Sequence, residues 1–194
     1  MKKLLLSVIA LVLVLVCLTA CNSSVTAMQN IQSLLKTSYS SITLNVTTTT
    51  NGIELKGIYK LTFEGDITTV DYSFERLNEL DINGNNDGYK STVTGVASVQ
   101  NGNIVEGDTS VALPEEINFN SISFKPAFFE NVTVTGAKFQ ADVKDCRGFT
   151  GNWDIECTDM HVEVIYSKTE LSMMSITYVS KGGSNVSITY TFTK

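Results

Sequence analysis

The chain of 194 residues contains four cysteines, at positions 17, 21, 146 and 157, and one histidine, His161. A thiol can pair as a disulfide, bind a soft metal, or act as a nucleophile once deprotonated. Zinc needs more ligands than Cys146 and Cys157, and His161 cannot complete such a site alone. His161 alternates with apolar Met160 and Val162, which places it on the polar face of a strand beside Glu163. A surface histidine is expected there, not a general base. The chain has no Gly-X-Ser-X-Gly elbow, phosphate loop or zinc-helix motif, and its carboxylates are scattered through strands and turns. Enzymatic activity is therefore not expected, and no catalytic residue, metal ligand or cofactor is assigned. The run Asp81-Ile82-Asn83-Gly84-Asn85-Asn86-Asp87-Gly88 has oxygen ligands at alternate positions, as Ca²⁺ prefers. Read as an EF-hand from Asp81, however, it places Asn86 where glycine is required and Thr92 where glutamate is required. A polar interstrand loop is the expectation.

The remaining cysteines lie in the N-terminal segment. Lys2 and Lys3 precede an apolar run from Leu4 to Cys17, followed by the small-residue stretch Leu18-Thr19-Ala20-Cys21. A charged head, a short apolar core and a small-residue cleavage site form a secretory signal. A retained transmembrane helix would need about 20 apolar residues, and the segment falls just short. The flank Asn22-Ser23-Ser24 is uncharged and reads as a tether.

Leu18-Thr19-Ala20-Cys21 resembles the lipobox of bacterial lipoproteins. The resemblance implies lipidation of Cys21 by a diacylglycerol on its sulfur and cleavage on its amino side. Residues 1–20 are then the signal peptide, 21–26 a lipidated tether and 27–194 one β-rich domain. In two-membrane bacteria the same family uses an aspartate after the cysteine as an inner-membrane retention signal; here that position is Asn22. The expected location is extracytoplasmic, anchored to the outer face of the plasma membrane or, in a two-membrane bacterium, to the outer membrane. Export also bears on Cys146 and Cys157. In an oxidising compartment an even pair is expected to be a disulfide, with two free buried thiols as the alternative.

Loss of Lys2 and Lys3 leaves 12 of the 14 basic side chains against 20 acidic ones, taking the formal charge from −6 to −8. So acidic a surface disfavours nucleic acid and anionic headgroups as partners. Membrane attachment then falls to the lipid alone.

The elements that position these residues are mostly strands. Met28, Ile31, Leu34 and Leu35 recur at helical spacing, predicting one short amphipathic helix over 27–36. Asn51-Gly52 is a two-residue hairpin signal that registers Ile42 with Leu61, Leu44 with Tyr59 and Val46 with Gly57. Gly65-Asp66 then sets Leu61 against Val70, Tyr59 against Tyr72, and Phe74 over the bare Gly57. Farther on, Phe139, Ala141 and Val143 match Val164, Val162 and Met160, a register that puts Cys146 opposite Cys157 with a turn near Gly151-Asn152. A turn over Gly182-Gly183-Ser184 matches Met174, Ile176 and Tyr178 with Phe192, Tyr190 and Ile188. In the middle, Asn101-Gly102 turns the chain towards Val105 and Val111. Ile117 and Phe119 have one parity and Ile122 and Phe124 the other, suggesting strands with a bulge at Asn120-Ser121. Pro126 to Glu130 reads as a short helical turn.

The expected fold is thus mainly β: a single antiparallel meander of about nine or ten strands, strongly curved, with one helix on its apolar face. The pattern resembles the half-barrels of the lipoprotein-carrier superfamily, which include periplasmic lipoprotein carriers and mycobacterial lipid-binding lipoproteins, and also small lipoproteins of unknown role. That resemblance implies a lipid or other apolar ligand held on the concave face. The inward rings Tyr59, Tyr72, Phe74, Phe139, Tyr178 and Tyr190 would line it. Alternatively, the same rings fill the hollow, leaving an envelope-structural or protein-interaction lipoprotein without a small ligand. If Cys21 is the lipid acceptor, Cys21→Ser produces a precursor that keeps residues 1–20 and takes up no labelled fatty acid, as intact-mass measurement of the membrane fraction would show. Normal processing of that variant would refute the lipobox.

Overall fold

The computed structural model describes residues 23–77, 90–100, 103–117, 119–152 and 155–194. The signal segment, Cys21, the Asp81–Gly88 run and the Asn101-Gly102 turn lie outside the described residues.

The two early turns place the first three strands in the expected register. Asn51 (φ 52°) and Gly52 (φ 80°) both adopt positive φ, as a type I′ turn requires. They join β1 (Ser41–Thr50) to β2 (Ile53–Glu64), pairing Ile42 with Leu61, Leu44 with Tyr59 and Val46 with Gly57. Gly65, at φ 63°, leads into β3 (Ile67–Leu77), where Tyr72 meets Tyr59 and Phe74 meets Gly57. The ring covering Gly57 is nevertheless that of Tyr59, not Phe74. A Cβ on Gly57 would sit 2.8 Å from Tyr59 Cε2.

β4 (Lys90–Gln100) pairs with β3, and the short edge strand β5 (Asn103–Glu106) follows. An irregularity between Ser98 and Val99 sets Ile104 opposite Val99, so Ile104 faces inward and Val105 points to solvent. The C-terminal strands are β6 (Phe129–Thr135), β7 (Lys138–Val143), β8 (Cys157–Tyr166), β9 (Leu171–Ser180) and β10 (Asn185–Thr193). Phe139 meets Val164 and Ala141 meets Val162, as expected. The β9–β10 turn occupies 181–183, one position earlier than expected, because Gly183 takes the left-handed conformation and Ser180 and Ser184 close the loop by hydrogen bonds. The register therefore shifts by two, Ile176 meeting Ile188 and Met174 meeting Tyr190. An even shift keeps every side chain on its expected face.

All ten strands form one antiparallel sheet in the order β5-β4-β3-β2-β1-β10-β9-β8-β7-β6. The meander thus runs in two halves, joined where β1 pairs β10. One inward row crosses the middle of the sheet through Tyr72, Tyr59, Leu44, Tyr190, Met174, Val164 and Phe139.

The chain must pass from β5 at one edge to β6 at the other. It does so over the apolar face, through 3-10 turns at Glu115–Ile117, Phe119–Ser121 and Pro126–Phe128. The turn at Pro126 is as expected. The strands expected around Ile117–Phe124 are instead this crossing strap, and Phe119, Ile122 and Phe124 are all buried in the core. The first helix, α1, spans residues 23–34, so residues 23–26 of the expected tether belong to it. Ala27, Met28, Ile31 and Leu34 bury its inner face. Tyr39 closes its end, donating to the Leu34 carbonyl at 3.0 Å and accepting from the Leu171 amide at 3.1 Å.

Phe139 is fully buried and packs edge-on against Phe124 and Phe129. Phe139→Ala should cost about 3–5 kcal/mol, whereas Val96→Ala, at a residue 55% exposed on the outer face, should stay within about 0.5 kcal/mol. Urea denaturation midpoints of the two variants would test the assignment of faces, and equal losses would contradict it.

Candidate functional site

The strap does not lie flush on the sheet. Beneath its central part lies a half-enclosed cavity of about 550 Å³. Its floor is the inward face of the C-terminal strands, with Met160, Ile176, Ile188 and Tyr190. Leu113, Pro114, Ile117 and Ile122 of the strap roof it. The third wall is the connection from β7 to β8, which begins as a short helix, α2 (Cys146–Thr150), and presents Thr150, Gly151, Asn152 and Ile155. Ile104 contributes from β5. In a flat sheet β5 and β8 would be seven strand spacings apart, roughly 34 Å, so a shared cavity requires the sheet to curl.

Glu116 is the polar focus. Tyr190, buried in the floor, donates its hydroxyl to the Glu116 carbonyl at 3.0 Å. The Tyr178 phenol lines the same cavity, near the Glu116 carboxylate. Burial pushes the Tyr178 phenol up to about 12, and the negative charge of Glu116 adds to the effect. Tyr190 is raised further by the same causes, burial first. Tyr59 is raised by burial and then by Glu116. Beside Glu116, the carboxylate of Glu115 accepts from the Asn152 side-chain amide, tying the strap to the third wall.

Of the six rings expected to line a ligand site, the structure brings Tyr178 and Tyr190 to the cavity. Tyr59, Tyr72 and Phe74 form their own aromatic cluster, with Phe74 ring centroids 6.2 Å from Tyr59 and 5.9 Å from Tyr72. Phe139 lies within a second cluster with Phe124 and Phe129. Glu116 and the roof residues were not foreseen, because a strap of 3-10 turns has no periodicity that marks which side chains turn inward. The one local signal is the apolar run Val111-Ala112-Leu113-Pro114, set between the polar residues 106–110 and Glu115-Glu116.

Cys146 is not on a strand opposite Cys157. It opens α2, whose first turn is capped by Asp145 accepting from the Gly148 amide, and both thiols are in the reduced form in this structure. His161 faces outward as expected and pairs with Asp142 at 2.9 Å, while Glu163 binds Lys138 and Gln140. Among the described residues no buried side-chain nitrogen or oxygen lacks a partner, and no helix is long and apolar enough to cross a membrane. No protein-family model matches the chain, and no curated protein matches it significantly.

The raised phenols give a pH signature. Folding favours the neutral form of Tyr178, so its contribution to stability is complete below pH 10, the ordinary phenol value, and drains away as pH rises to about 12. Tyr59 and Tyr190 act in the same direction. The Tm should therefore fall between pH 10 and 12, with phenolate absorbance of the folded protein lagging behind that of the denatured chain. Coincident phenolate titrations would contradict the burial of these hydroxyls.

Proposed function

We propose that this chain is a lipid-anchored extracytoplasmic lipoprotein whose domain is a non-catalytic binding module for a lipid or other apolar ligand. The carrying observation is the cavity of about 550 Å³ between sheet and strap, a volume typical of small-ligand sites. Its walls are mainly aliphatic, with the polar groups concentrated at Glu116, Tyr178 and Asn152. This arrangement suits an amphipathic ligand with an apolar body.

The charge of the site narrows the class. Glu116 faces a ligand from within a strongly acidic chain, so an anionic headgroup would meet repulsion as well as loss of hydration. A neutral or cationic head that donates hydrogen bonds fits better. A simple fatty acid carboxylate fits poorly.

The alternative of a filled core draws on the same aromatic side chains. The Tyr59–Phe74 and Phe124–Phe139 groups do fill parts of the hollow, but they flank the cavity and leave it open. A lipid anchor attached shortly before α1 would hold the domain close to the bilayer, where such a ligand resides.

Ile117→Trp projects bulk into the cavity from the strap. It should weaken binding of an apolar fluorescent probe at least about tenfold, while Val96→Trp on the outer face should leave binding unchanged. Mass spectrometry of an organic extract of the native protein should detect a co-purifying amphiphile. No extractable ligand, together with probe affinity unaffected by Ile117→Trp, would refute the binding reading and favour a structural role.

A further inference from the structure

Cys146 begins α2 and Cys157 begins β8, on opposite ends of the connection that forms the third wall of the cavity. The Cys146 Sγ lies 3.8 Å from the Cys157 carbonyl oxygen, and the two side chains hydrogen-bond each other. Both are half-buried. None of the described residues between them lies in a strand. Beyond the short helix, the connection's ties include the Lys181 amide to the Glu156 carbonyl at 2.9 Å and the exposed contacts of Arg147 to the Ile155 carbonyl at 3.3 Å and to Glu156 at 3.5 Å. We propose that Cys146 and Cys157 form a disulfide in the exported protein, a redox clasp that fixes the cavity wall carrying Thr150, Gly151, Asn152 and Ile155.

The clasp rests on the extracytoplasmic location proposed above, since a reducing cytosol would keep both thiols. Its formation needs an oxidant, namely another disulfide, either glutathione disulfide or a protein thiol oxidase in its disulfide form. Burial, reinforced by the neighbouring Cys146 thiol, pushes the Cys157 thiol up to about 12; the exchange balances from either cysteine, and is followed here from Cys146. Its thiolate attacks one sulfur of the oxidant, forming a mixed disulfide and expelling one thiolate. Cys157 then gives up its proton and attacks Cys146 Sγ, expelling the second thiolate. The two cysteines lose two electrons and two protons, and the oxidant leaves as two thiols.

The closed loop is short and contains the segment that Asn152 ties to the strap through Glu115. Oxidation therefore restricts the wall and, through it, the roof. Reduction frees the wall without removing any lining side chain.

The test uses the lipoprotein extracted from the membranes of cells lysed in N-ethylmaleimide. Non-reducing tryptic digestion should join the peptide Asp145–Arg147 to Gly148–Lys168, two hydrogens lighter than their sum. In parallel, the purified protein, reduced and then placed in a glutathione redox mixture, should regain the same bridge. Reduction should lower its Tm by about 5–10 °C. Two alkylated cysteines from cells, with the bridge forming in glutathione, would overturn the exported location and the clasp with it. No bridge in either arm would overturn the pairing itself, whatever the location. Probe binding by Cys157→Ser, set against Ile117→Trp, separates loss of the clasp from loss of the cavity: a Cys157→Ser protein that binds as tightly as the oxidised parent overturns the link between clasp and wall.

Discussion

Everything in this fold follows from one problem: a ten-stranded sheet presents an apolar face far broader than its helices can cover. α1 buries one stripe, and α2 is five residues long. The sheet answers by curling, and the chain answers by sending the β5–β6 connection across the hollow. A non-helical segment lying on apolar side chains must find partners for its backbone polar groups, since water no longer reaches them. The strap finds them on every neighbour. The Phe124 amide donates to Gln32 of α1 at 2.6 Å, the Ser123 amide to the Phe149 carbonyl at 2.8 Å, and the Phe128 carbonyl accepts from the Lys144 amide at 3.0 Å. With Tyr190 on the Glu116 carbonyl, the strap is anchored to α1, α2, the start of the β7–β8 connection and the sheet.

The cavity is a consequence of that solution. A long helix across the hollow would present a continuous apolar stripe and pack closely against the sheet. Three separate 3-10 turns instead fix the strap at discrete points and leave space between them. At one end of that space Phe119 packs against Phe63 and Phe192, and near the other Phe124 packs against Phe129, Phe139 and Phe149. The gap between these aromatic anchors is lined by smaller aliphatic residues. Ring bulk is spent on holding the strap down, which explains why most of the aromatic residues stand outside the cavity.

How much of this was legible from residues alone depended on the range of the information. Asn51-Gly52 and Gly65-Asp66 are local devices that fix turn geometry, and the whole register of β1–β3 follows from them. The alternation in Phe139–Val143 and Met160–Tyr166 was equally informative, because one face is dry. Lys181 to Ser184 offered two glycines, and the pattern of faces is blind to a shift of two, so only hydrogen bonding between Ser180 and Ser184 decides the turn. Around Ile117–Phe124 the apolar spacing suits a bulged strand as well as a strap. Nothing local distinguishes them, because the difference lies in whether a neighbouring strand is present. The pairing of β1 with β10, the longest-range contact in the sheet, has no local signal, and Glu116 became a site residue only through that closure.

A cross-strand pairing of Cys146 and Cys157 requires β7 and β8 to continue to a tight turn, as sheet logic favours. The ladder between them instead ends at Asp142 opposite His161, and Asp145 caps a helical turn. Gly151, at φ 71°, ends that turn and lies so close to the strap that an added Cβ would meet the Ser121 carbonyl oxygen at 2.8 Å. The departure from the sheet is thus what brings the β7–β8 connection under the strap and makes it a wall of the cavity. Its cost is that none of the described residues in the segment between Val143 and Cys157 lies in a strand. The two cysteines bracket that segment, where a covalent tie would supply the rigidity that strand pairing supplies elsewhere.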